Sequence, residues 1–237
     1  MQIQFEHLFF SRLWNLGHDI IQSVLNLTLT PALQLMLAKT QQRAPLHSDL
    51  YSQYDTLVGH AALLLSHSLP LLPTCLPSSD DQTSLVTANI SLVSAYLSIV
   101  LVSGGHWQVS DCIPSYEQMF PPGWCLVTTM EERHSHLWRQ IADTTMDKGE
   151  MVLVLHLLLF SPDSESLALH LSDSARRRVE EVQEHWARQA HSYCKQGYGK
   201  SGGVGYRTRL GEICMTIAKV RELVEIEELR LEGEYKK

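Results

Sequence analysis

Residues 80–102, DDQTSLVTANISLVSAYLSIVLV, begin with two acids and an amide, then turn apolar almost all the way round. A helix of about 23 residues spans roughly 35 Å, the width of a small domain. A helix that is apolar on every side has to be covered by others. The stretch predicts a central strut in an all-α domain, with other helices laid across it. Its length just suffices to cross a bilayer. However, Ser84, Asn89, Ser91, Ser94 and Ser98 dilute it and no basic cluster flanks it, which favours a buried helix over a membrane span.

Upstream, Leu50, Tyr54, Leu57, Val58, Ala61, Leu64, Leu65 and Leu69 repeat at helical spacing, after the N-cap candidates His47-Ser48-Asp49. Pro70 and Pro73 stop that helix. Ser79 or Asp80 is placed to cap the strut, with Gln82 near the capping-box position. Earlier still, Phe5, Leu8, Phe9, Leu13, Leu16, Ile20 and Val24 stripe a helix over 5–25, with Gly17 as its weak point. Pro31 can open a helix over 31–42.

Downstream, Gly104-Gly105 end the strut. Short β-prone runs around Pro121-Pro122-Gly123 predict a small β hairpin within 106–128. A helix is expected over 129–146 with Met130, Leu137, Ile141 and Met146 inward, and a second buried helix over 149–160. Residues 172–196 read as an amphipathic helix capped by Ser172 and Asp173, with Ala175, Val179, Val182, Trp186, Ala190 and Tyr193 on its apolar face. A glycine-rich loop leads to a last helix, 206–231, striped by Leu210, Ile213, Cys214, Ile217, Val220 and Val224. Residues 225–237 are too charged to be buried.

The 237 residues are read as a single domain, 1–237, with N-terminal helices in 1–46 and a core in 47–231. Apolar residues make up 44% and charged residues 19%, which suits a packed core and not a disordered chain. The net charge of −7 offers no basic surface for nucleic acid. Five scattered cysteines and no CxxC pair argue for reduced thiols and against a zinc module. No signal peptide is evident at Met1, so the sequons at Asn26 and Asn89 carry little weight.

Enzymatic chemistry finds no support, since no phosphate loop, nucleophile elbow or paired catalytic carboxylates occur. His134-Ser135-His136 cannot chelate from one helix face, because alternate residues point apart. No metal or cofactor is expected. Leu155–Leu159 spells LxxLL, but within a buried helix it is core.

Three stretches stand in a fixed order. The first is Leu69-Pro70, the loop 71–79, then Asp81-Gln82 followed by Leu85-Val86. The second is EMVLVLHLLLFSPD at 150–163, and the third RLGEICMTIAKVR at 209–221. Together they resemble the ligand-binding domain of nuclear receptors, over about residues 50–224. The resemblance implies a three-layer antiparallel helical sandwich with the strut, the family's helices 4 and 5, in the middle. It implies a transcription regulator of the nucleus or cytoplasm, with a lipid or steroid-like ligand, coregulator proteins bound through an amphipathic helix, and a homo- or heterodimer partner.

Carried onto this chain, the apolar pocket falls to Tyr54, Leu57, Val58, Ala61, Leu65, Tyr96, Phe120, Trp124 and Leu137. The coregulator groove falls to His67, Leu71, Leu72, Gln82, Leu85 and Val86, and the dimer surface of the last helix to Arg207, Arg209 and Arg221 on its outward face, which also offers Lys219 and Glu222, with Ile213 and Ile217 of its apolar stripe. The chain departs from the family pattern in the strut. His67 and Thr87 stand where clamp lysines are usual, Ile90-Ser91 where Trp-Glu is usual, and Leu97 or Ser98 where an arginine often anchors a ligand carboxylate. No acidic-apolar activation helix follows Val224. A ligand-independent dimerisation or corepressor-interaction module is the alternative. Arg176-Arg177-Arg178 are expected to pair with Glu180 or Glu181, or with Glu150 in the buried ion pair that the resemblance implies.

Overall fold

Five helices carry almost all of the residues that the computed structural model describes, which are 2–25, 76, 78–103, 133, 136–141, 143–162, 171–198 and 204–235. They are α1 (Gln2–Leu25), α2 (Ser79–Ser103), α3 (Lys148–Leu159), α4 (Asp173–Tyr198) and α5 (Val204–Tyr235). No strand occurs among the described residues. The helices expected over 31–42 and 47–69 and the hairpin expected within 106–128 lie outside them.

α3 occupies the place expected of the strut. It packs against each of α1, α2, α4 and α5, and every residue from Val152 to Phe160 is buried. α2 packs on α1, α3 and α5 but keeps an exposed edge at Thr83, Thr87, Ile90 and Ser91. Its serines and threonines supply that wet edge, so near-uniform hydrophobicity overstated its burial.

The contacts also give the directions. Asn89 of α2 meets the end of α3 and Tyr96 meets Met151 near its start, so α2 and α3 are antiparallel. Gln22 of α1 meets Lys148 while Gly17 lies beside His156, which makes α1 antiparallel to α3 as well. Tyr193 of α4 reaches Asp147 while Trp186 stacks on His156, again antiparallel. α5 runs parallel to α3, with Arg209 at its start and Arg221 past its end.

Local signals explain the helix starts. Ser78 caps α2, its Oγ accepting from the backbone N–H groups of Asp80 at 3.2 Å and Asp81 at 3.4 Å. The cap is therefore one or two residues earlier than expected, and Gln82 turns back to the Leu76 carbonyl instead of closing a capping box. α3 does have a complete capping box, Asp147 with Glu150. Ser172 caps α4 as expected, accepting from the Ala175 N–H at 3.3 Å, and its own N–H and hydroxyl donate to Asp81, both at 3.1 Å. The helix expected over 129–146 ends sooner. Described helical residues stop at Ile141, and a turn at 143–144 leads into the extended approach to α3.

The core faces follow periodicity with three corrections. On α5 the buried residues include Ile213, Thr216, Val220, Leu223, Val224 and Ile226, whereas Cys214 is exposed. The helix runs past Val224 as expected, but burial continues with it, because Ile226 lies one turn beyond Leu223 on the same face. On α4, Cys194 is buried and Tyr193 only partly so. Gly17 is no weak point of α1. It is the place where α1 meets α3, since a Cβ there would stand 2.5 Å from His156 Cε1 and 2.7 Å from Val152 Cγ1.

Candidate functional site

Polar contacts converge on the two ends of α3. At its start, Glu150 is fully buried, and its carboxylate accepts from Arg209 Nε at 2.6 Å, from Arg209 Nη2 and from the Asp147 N–H at 2.9 Å. Arg209 also donates to the Thr145 carbonyl and, at 2.6 Å, to Glu212, while its guanidinium lies 5.8 Å from the Tyr198 ring centroid. Only 11% of the Arg209 side chain is exposed. The Glu150 carboxylate holds the guanidinium pKa above its ordinary value, and burial opposes this. Charge-assisted, two-pronged pairing of this kind fixes geometry as well as energy.

Neighbouring groups feel the same cluster of acids. Tyr193 donates to Asp147 Oδ1 at 2.9 Å, and burial together with that bond pushes its hydroxyl up to about 12. Burial pushes the Cys194 thiol up to about 11, which leaves it protonated and unreactive at neutral pH.

At the other end of α3, Asn89 Nδ2 donates to the carbonyls of Leu159 at 2.9 Å and Ser161 at 3.1 Å. Asn89 is fully buried, and its Oδ1 has no hydrogen-bond partner. Arg221 Nη2 donates to Ser161 Oγ at 2.6 Å. Asn89 thus joins α2, and Arg221 joins α5, to the turn that ends α3.

The expected dimer residues are placed differently from one another. Arg209 and Arg221, both half-buried, turn toward α3, so the two arginines are corrected from outward-facing to packed against α3, while Ile213 of the apolar stripe is fully buried and is not available to a partner. A charged helix face reads as solvated until its partner, 59 residues away in the case of Glu150, is known. Ile217 is half-buried, and Arg207 is exposed beside Tyr206. The exposed part of α5 includes Gly211, Cys214, Ala218 and Met215, the last 55% exposed. Arg178 pairs with Glu181 at 2.7 Å, as one expected alternative had it. The partner of Glu150 is Arg209, not the Arg176–Arg178 run.

Two expected pocket residues are described, and both are core. Leu137 is buried, and Tyr96 is buried with its hydroxyl directed to the Met151 carbonyl at 3.4 Å and Met146 Sδ at 3.9 Å. Burial, with the Glu150 charge adding to it, holds that hydroxyl far above its ordinary pKa. Of the expected groove, Leu85 is fully buried while Val86 and Gln82 are half-buried. Tyr54, Leu57, Val58, Ala61, Leu65, Phe120 and Trp124 of the pocket, and His67, Leu71 and Leu72 of the groove, lie outside the described residues.

No protein-family model and no curated protein matches the chain. Among the described residues, no helix is long and apolar enough to cross a membrane, and no group of three or more His, Cys, Asp or Glu could hold a metal ion.

Sequence reasoning missed several of these residues. Asp147 and Glu150 stand at capping-box spacing, a signal that was legible. Asn89 and His156 are polar groups inside apolar runs, the pattern of a buried polar anchor. The pairing of Glu150 with Arg209 had no local signal, because nothing periodic relates residues so far apart.

Proposed function

We propose that the chain is a nuclear-receptor-type ligand-binding or effector domain that acts in transcription, built as a three-layer antiparallel helical sandwich. One observation carries this reading. The three stretches that suggested the family are joined to one another by buried and partly buried polar contacts. Glu150 of the second binds Arg209, which opens the third; Ser161 of the second binds Arg221, which closes the third; and Asn89, in the helix that follows Asp81-Gln82, binds the Leu159 and Ser161 carbonyls. These contacts support the reading, because the resemblance implies that the three stretches pack together.

In this reading an amphipathic coregulator helix lies in an apolar groove beside Leu85 and Val86. A lipophilic ligand, or a dimer partner on the outer face of α5, biases which coregulator is accepted. The net charge of −7 leaves nucleic-acid contact to other partners. The test is binding of labelled LxxLL activator helices and longer corepressor helices, followed by fluorescence anisotropy. Saturable binding of either class, abolished by Val86→Asp, supports the reading. Binding of neither class, with a monomeric protein, overturns it.

A second reading, a ligand-independent dimerisation or corepressor module, is favoured by Tyr96. Its hydroxyl is already engaged by Met151 and Met146, so it is not held out to a ligand. Organic extraction followed by mass spectrometry separates the two. A stoichiometric co-purified lipid supports the ligand-binding reading, and an empty extract supports the second.

A further inference from the structure

Among the tyrosines with described side chains, one differs in kind from the others. Tyr96, Tyr193 and Tyr198 all lie toward the acids at the start of α3. Burial acts first to hold each of their hydroxyls above its ordinary pKa, and the Glu150 charge adds to it. The Tyr193 hydroxyl also donates to Asp147 at 2.9 Å. Tyr206 is set the other way. It is half-buried in the first turn of α5, and its hydroxyl oxygen accepts from Arg207 Nε at 3.3 Å. That bond, with the charges of Arg207 and Lys195, holds the Tyr206 hydroxyl below its ordinary pKa.

The surroundings of Tyr206 are cationic. The Arg207 guanidinium lies 5.9 Å from its ring centroid. From α4, His191 packs edge-on to the ring, with centroids 5.7 Å apart and planes at 89°. Lys195 follows one turn later on the same edge of α4. His191, Lys195 and Arg207 are all exposed, and among the described residues neither Lys195 nor Arg207 has an acidic partner. Residues 185–211 contain Arg188, Lys195, Lys200, Arg207 and Arg209 but no Asp or Glu, within a chain of net charge −7. The nearest acids along the two helices, Glu184 and Glu212, face Arg188 at 4.0 Å and Arg209 at 2.6 Å.

We propose that Tyr206 is a phosphorylation site, whose phosphate is gripped by Arg207 and Lys195 and so ties α5 to α4. A tyrosine kinase supplies the phosphoryl group from a nucleoside triphosphate. The phenolic oxygen forms the new bond to the γ-phosphorus, and the bond from that phosphorus to the bridging oxygen breaks. The nucleoside diphosphate leaves with the electron pair, and the phenolic proton passes to the kinase's base. The product carries close to two negative charges and strong acceptor oxygens, which stabilise a site when they face cations and disrupt one when they face acids. At Tyr206 they meet Arg207, Lys195 and His191, whereas at Tyr193 they would meet Asp147 and Glu150. Access is open as well. The first turn of a helix frays readily, and Gly197, Gly199, Gly202, Gly203 and Gly205 precede Tyr206 in sequence, with no side chain to bar a kinase cleft. The site is independent of the family reading.

Incubation of the intact chain with magnesium, ATP and a broad-specificity tyrosine kinase, followed by peptide mass spectrometry, tests this. Tyr206 should take up phosphate about tenfold faster than Tyr193 or Tyr198. In phosphorus NMR the Tyr206 phosphate signal, assigned by its absence in Tyr206→Phe, should titrate near about 5 instead of the usual value of about 6. It should return to about 6 in the double variant Lys195→Ala, Arg207→Ala, which alters exposed side chains alone. Absence of phosphate at Tyr206, equal uptake at Tyr193, a phosphate midpoint near 6 in the natural chain, or a lowered midpoint that survives the double variant would each overturn the proposal.

Discussion

α2 keeps a wet edge at Thr83, Thr87, Ile90 and Ser91, whereas no side chain of α3 from Val152 to Phe160 is exposed. A helix with one wet edge is oriented by that edge alone, since any rotation would bury hydroxyls and expose leucines. A helix that is dry all round has no such guide, because apolar packing is non-directional. α3 takes its register from its two polar ends. Glu150 is gripped by Arg209 at the start, and the carbonyls of Leu159 and Ser161 are gripped by Asn89 at the finish. The lesson is that the most apolar helix depends most on a few buried polar groups.

The largest break in that comparison comes from Arg209→Ala. It leaves the Glu150 carboxylate buried and unpaired, and it should cost about 3–5 kcal/mol in a denaturant titration. Acid should act next on the middle of α3. The folded pKa of His156, about 4, lies below its ordinary 6.5, so the unfolded chain binds the proton more tightly. This contribution to stability is intact above pH 6.5. It is lost roughly tenfold in the folding constant per unit as pH falls, up to about 3 kcal/mol in full near pH 4. His156→Phe should flatten that part of the profile.

Asn89→Ala removes the donors from two buried carbonyls at the finish of α3 and should cost about 1–3 kcal/mol by thermal denaturation. Gly17→Ala drives a methyl into His156 and Val152 and should cost a similar amount, about 1–3 kcal/mol, with exchange rising first over 9–21. The wet edge of α2 gives the contrast. Ile90, 38% exposed, should tolerate Ile90→Thr within about 0.5 kcal/mol. A loss at Ile90 as large as at Asn89 would mean that the edge of α2 is covered after all.

Helix positions were legible because stripes of period 3.6 and cap residues are local. The spans 5–25, 80–102, 149–160 and 172–196 differ from the observed α1, α2, α3 and α4 by at most three residues at either end. Rank in the core was not legible, since α2 and α3 both carry long runs of aliphatic residues, leucine and valine in both. What separates them is the serine and threonine edge of α2 and the spatial company of α3. The candidate site was legible only as motifs. Glu150, Ser161, Arg209 and Arg221 all stood within the stretches that drew notice, yet the arginines read as surface because each partner lies some 60 residues off.

Hydrogen exchange of the natural chain and of Arg209→Ala tests most directly the claim that α3 is the hub and is fixed at its ends. The amides of 150–159 should be the last to exchange, slower than those of 85–100. In Arg209→Ala the protection of 150–159 should collapse together with that of 204–213. If 85–100 outlasts 150–159, or if 150–159 stays protected without Arg209, then α3 is neither the hub nor held by its ends.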